Sequence, residues 1–142
     1  MTLLRARLLV AAVLFAGWLA YLGYAAATKS RGPVVSRAQL AAASAAVVAS
    51  VDAAPDGKRT AAVVEPLTAA SPAAGATLDV ANLSQTAGYV GPGSYLLLLA
   101  KDGSGYRVVG VPRSPGHEAP AGDPPIYPWS ADVRGQVVPL LP

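Results

Sequence analysis

Leu8 to Ala27 is a run of twenty residues without a single charged side chain, and it constrains this chain more than any other feature. Wound as an α-helix it covers about 30 Å, the hydrocarbon thickness of a bilayer. Trp18, Tyr21 and Tyr24 fall in its second half, where amphipathic rings sit at a membrane interface, and Lys29 and Arg31 mark the return to water. The competing reading is a cleaved signal peptide. Arg5 and Arg7 form a basic start, and Ala25-Ala26-Ala27 satisfies the small-x-small cleavage pattern. The run exceeds the roughly 7 to 15 apolar residues of a signal core and carries three bulky aromatics, which favours an uncleaved signal-anchor. Both readings export the rest of the chain. Basic residues nearly balance across the span, so orientation rests on the short tail before it, which places residues 28–142 outside the cytoplasm, in the periplasm or at the cell surface. Ala12, Ala16 and Ala20 form a small-residue stripe that would admit a second helix, hence a helix-mediated homodimer; the plainer reading is a lipid-facing, alanine-rich helix.

The net charge of +3 would ordinarily raise the question of nucleic acid. Its distribution answers it. Arg5, Arg7, Lys29 and Arg31 bracket the span, and from Gly32 onward seven basic residues face eight acidic ones. Phosphate neutralisation needs clustered cations, and the only adjacent pair there is Lys58-Arg59 beside a turn, so nucleic acid is set aside as a partner. With 13% charged residues against about 25% in ordinary soluble domains, the composition agrees with a membrane segment beside one small domain. The absence of cysteine excludes disulfides, thiolate metal sites and a cysteine nucleophile.

Residues 28–35 read as a juxtamembrane linker. Ser36-Arg37-Ala38-Gln39 has the spacing of a capping box, in which the serine oxygen and the glutamine side chain satisfy each other's backbone N–H groups, and it predicts a helix over about 37–43. Five runs of strand character follow: 45–51, 60–67, 77–83, 95–100 and 106–111. Pro55-Asp56-Gly57-Lys58 and Asp102-Gly103-Ser104-Gly105 supply turns. The unbroken leucines of the fourth run should be the most buried. Glycine and proline recur too often for helical faces, and five strands on so short a chain protect their edges best by curling. The expected class is mainly β: an N-terminal transmembrane helix, then a five-stranded OB-like barrel over 36–112 with short flanking helices. Residues 113–142 read as a proline-rich wrap, ending in an Ile126-Tyr127-Pro128-Trp129 patch and a short helix from an N-cap at Ser130 to about Val137.

The order Val47-Val48-Ala49-Ser50-Val51, Ala62 to Leu67, Gly75 to Val80 and Pro92 to Leu99 resembles the OB-type barrel of netrin-like and metalloproteinase-inhibitor domains and their bacterial relatives, over roughly residues 34–112. The chain also resembles uncharacterised bacterial single-pass membrane proteins that end in a Tyr-Pro-Trp segment. Inhibitors of the first family chelate the protease zinc through an amino-terminal cysteine. This chain has none, so the resemblance implies a fold and no mechanism.

The sole histidine, His117, sits in Ser-Pro-Gly-His-Glu with nothing to orient it as a base, and for a zinc site, which needs three or four ligands, His117, Glu118 and Asp123 are the only close group. Asp52, Asp56, Asp102 and Asp123 lie in or beside turns that account for them. Gly91-Pro92-Gly93 and Gly103-Ser104-Gly105 lack the lysine and helix start of a phosphate loop. No enzyme, cofactor or metal is expected. The candidate binding residues are Tyr127, Trp129 and Arg134, joined by Tyr89 from the loop before the fourth strand, because large aromatics and arginine dominate recognition hot spots. The alternative is that Tyr127 and Trp129 plug one end of the barrel and pin the wrap. The expected function is a membrane-anchored, extracytoplasmic, non-enzymatic interaction or accessory domain, its partners the lipid bilayer and an envelope protein; the alternative is a secreted binding or inhibitory protein released after Ala27.

Overall fold

The computed structural model of the chain describes residues 3–28, 32–116 and 122–141. It divides into two units, Met1–Gly32 and Pro33–Pro142.

The first unit is one helix, α1 (Leu3–Thr28). Its large apolar side chains from Leu8 to Tyr24 are all between 44% and 69% exposed, and they are spread around the whole circumference with no polar face opposite. A helix apolar on every side is the kind found in a protein core or a membrane span. Arg5–Thr28 is long and apolar enough to cross a bilayer. The rings of Trp18 and Tyr21 lie 6.1 Å apart. Lys29 and Arg31, expected at the interface, lie outside the described residues.

The second unit is built on an antiparallel sheet of six strands: β1 (Ala45–Ala53), β2 (Arg59–Pro66), β3 (Thr77–Leu78), β4 (Gly93–Asp102), β5 (Gly105–Val108) and β6 (Tyr127–Pro128). The order is β3-β2-β1-β4-β5, and β6 pairs with β4. The central pair, β1 and β4, runs in register from Ala45 opposite Leu99 to Val51 opposite Gly93. Both strands are covered on both faces, so Ala45–Ala49 and Tyr95–Leu99 are buried without interruption. Strands covered on both faces read as continuous apolar runs rather than alternating ones, which is why the leucine run sits where the burial is deepest. β2 is covered on one face only and alternates, with Ala61 and Val63 inward and Val64 outward.

One sheet face packs Val47, Val51, Leu97 and Leu99 against Leu83, Val108 and Ile126. The other packs Ala46, Leu96 and Leu98 against Tyr127, Val133 and Val137, under α2 (Arg37–Ala42) and α3 (Ala131–Val137). Each fully buried leucine contributes about 1.5–3 kcal/mol. The sheet therefore serves two cores.

Several expectations are corrected here. The sheet is not closed into a five-stranded barrel. The predicted third strand shrinks to Thr77–Leu78, and the chain then reaches β5 through one isolated parallel bridge, Val80 to Tyr106, where Tyr106 N–H donates to Asp79 O at 2.8 Å. A layer of helices over one sheet face gives mixed helix and strand, with strands prominent, in place of mainly β. The proline-rich segment is more than a wrap: Tyr127 and Pro128 add a short strand opposite Leu96 and Tyr95, which proline tolerates because it lies at an edge.

The capping box is half formed. Ser36 accepts from Gln39 N–H at 3.3 Å as expected. The glutamine does not return the bond: its side chain turns inward, and Ser36 N–H donates to the Tyr127 hydroxyl at 3.3 Å instead. Ser130 caps α3 as predicted, accepting from Val133 N–H at 3.3 Å.

Candidate functional site

The four aromatic and basic residues singled out by sequence do not form one patch. Tyr89 packs against the sheet face that holds Val47 and Leu97. Its ring stacks on Tyr95 with centroids 5.5 Å apart, and the Arg59 guanidinium covers the ring at 4.3 Å. Arg59 is itself held by Leu83 O and Thr86 O at 3.2 and 3.1 Å. This is a packed corner in which a cation–π contact replaces an ion pair, and the Tyr89 hydroxyl is buried there without a hydrogen-bond partner among the described residues.

Tyr127 and Trp129 belong to the opposite core. The Tyr127 hydroxyl donates to Gln39 Oε1 at 2.7 Å, and burial raises its pKa, an effect partly opposed by the bond from Ser36 N–H. Gln39 is fully buried, and its Nε2 donates to Val109 O at 2.6 Å and to Pro125 O at 3.0 Å. One amide thus ties α2 to the ends of two distant segments. Trp129 is half-buried over the same core, and Arg134 is exposed on α3. Tyr127 and Trp129 thus both pack in this core, in the carboxy-terminal segment.

His117 and Glu118 lie outside the described residues. Among the described residues no three His, Cys, Asp or Glu side chains gather as metal ligands would.

A concavity of the domain lies elsewhere, on the side where α2 enters the sheet. It is a groove of about 570 Å³ with the buried Ala45 and Ala46 at its floor, lined also by Leu40, Ala43, Ala70 and Leu141. That is the size of a small-molecule site. Several polar atoms at and behind its walls are already engaged. Thr68 Oγ1 accepts from Ala46 N–H at 3.3 Å, Ser71 Oγ donates to Ala46 O at 2.7 Å, and Ser44 Oγ donates to Leu99 O at 3.2 Å. Arg37 is the single charged residue of the lining. It also lines an adjoining cleft of about 320 Å³ between Val34, Gln136 and Leu140, again as the single charge.

Sequence reasoning missed this groove. Its walls are alanines scattered over positions 41–70 and leucines near position 140, which carry no local pattern, and in the sequence Arg37 reads as part of a helix start and one of the positive charges after the span. Alanine is the one signal available in hindsight: small side chains at Ala43, Ala45, Ala46 and Ala70 leave the space that larger ones would fill.

Comparison of the chain with protein-family models, with curated proteins and with solved structures found no match.

Proposed function

We infer that this chain is a membrane-anchored protein that displays a small, non-enzymatic binding or accessory domain outside the cytoplasm. The observation that carries the reading is α1, whose large apolar side chains are exposed on every side, followed in the chain by a domain with two cores of its own. The first unit needs lipid; the second does not. The strand order β3-β2-β1-β4-β5, with a parallel bridge between the β3 segment and β5, supports an OB-type connectivity held in an open sheet, and OB-type domains work by binding. Such a domain fits an accessory role beside an envelope protein.

The second reading is a secreted binding protein, favoured by Ala25-Ala26-Ala27 at the end of the span. Cell fractionation with intact-mass measurement separates the two. Full-length chain that resists carbonate extraction supports the anchor. A soluble product beginning at Thr28 overturns it in favour of secretion.

A further inference from the structure

We propose that the groove beside α2 binds a single-chain amphiphile with an anionic head, of the fatty-acid class, with the alkyl chain along the alanine floor and the head at Arg37. This rests on the reading of a membrane-tethered domain, since a chain held at a bilayer works among such molecules. Three observations point to this ligand chemistry. The groove is mainly apolar, bounded by Leu40, Ala43, Ala45, Ala46, Ala70 and Leu141. The polar groups at the floor are engaged: Ala46 N–H and O are both held by the 67–71 loop, and Ser44 N–H donates to Leu99 O at 2.8 Å. A peptide strand laid along Ala46 would find no ladder to join there, whereas an alkyl chain needs none. The charge is one-sided. Arg37 is exposed at the mouth, shared by two adjoining clefts that contain no acidic lining residue, and among the described residues the only salt bridge is Lys58 with Asp56. A guanidinium without a carboxylate partner, beside an apolar slot, complements a carboxylate on an alkyl chain.

The test uses the full chain in phosphatidylcholine nanodiscs with two photoactivatable probes, a diazirine-bearing palmitic acid and the matching alcohol, and maps the labelled residues by mass spectrometry. The acid should label residues 40–46 and 68–70 about fivefold more than the alcohol, the scale of one charge-assisted hydrogen bond at an exposed guanidinium. Arg37→Gln should abolish that preference. Ala70→Trp, which fills the groove from an exposed position, should reduce labelling by both probes to background, with cooperative urea unfolding confirming that each variant is folded. Equal labelling by acid and alcohol, labelling confined to residues 8–27, or an unchanged pattern in folded Ala70→Trp would overturn the proposal. Failure of the anchor reading registers separately, as a mass lacking residues 1–27, whereas failure of the groove registers on full-length chain retained in the nanodisc.

Discussion

Gln39→Leu removes three hydrogen bonds at once while keeping the side-chain volume nearly constant. Nε2 donates to Val109 O and Pro125 O, and Oε1 accepts from the Tyr127 hydroxyl. Each bond contributes about 1 kcal/mol net, and a buried polar atom left without a partner costs about 1–3 kcal/mol. The Tyr127 hydroxyl keeps its bond from Ser36 N–H, and leucine adds some apolar burial, so the expected loss is about 3–5 kcal/mol. That is a large fraction of the roughly 5–15 kcal/mol available to a domain. Urea unfolding followed by Trp129 fluorescence, in a Trp18→Phe background, should show the midpoint falling by roughly 2 M. Tyr127→Phe alone should cost about 1–2 kcal/mol, and much less once Gln39 is leucine, giving a coupling of at least about 1 kcal/mol. A loss below about 1 kcal/mol for Gln39→Leu, or strict additivity of the two changes, would refute the claim that this amide ties α2 to the carboxy-terminal segment.

Other perturbations probe separate links. Burial raises the Tyr127 pKa above its ordinary value of 10.0. The folded chain then holds that proton more tightly than the unfolded one, so the contribution is whole below pH 10 and is lost as the pH climbs through the folded value. The stability advantage of wild type over Tyr127→Phe should accordingly shrink above pH 10 in alkaline urea titrations, and a widening gap would contradict the burial argument. Gly88 has φ +87 and an added Cβ would run into the Ile126 carbonyl, whereas Gly57 has φ +80 with open space around it; Gly88→Ala should cost at least about 2 kcal/mol and Gly57→Ala about 1 kcal/mol by thermal unfolding, and equal costs would mean that the close approach carries no energy. Trp129→Ala should cost about 2–4 kcal/mol because the ring packs over the Tyr127 core; unchanged stability with loss of an envelope partner would make it a recognition residue.

What the sequence determined by itself was whatever depends on near neighbours. A twenty-residue uncharged run is apolar whatever surrounds it, so α1 was legible from composition alone. Ser36 and Ser130 cap helices through bonds three residues long, and the turns at Gly57 and Gly103 need only a positive φ that glycine supplies. The leucines of β4 announced a strand covered on both faces. Only the tertiary structure decided the rest. Gln39 obeys a capping rule in sequence, yet carbonyls 70 and 86 residues away outcompete the local bond once they are buried beside it. Closure of the sheet depended on how far β3 could run, and two residues of pairing followed by one bridge left it open. Tyr89 and Tyr127, alike in sequence, were sent to opposite cores by the strands and loops that carry them. The groove at Arg37 is a space between segments about 100 residues apart, and a space that no single segment encloses leaves no mark on any of them.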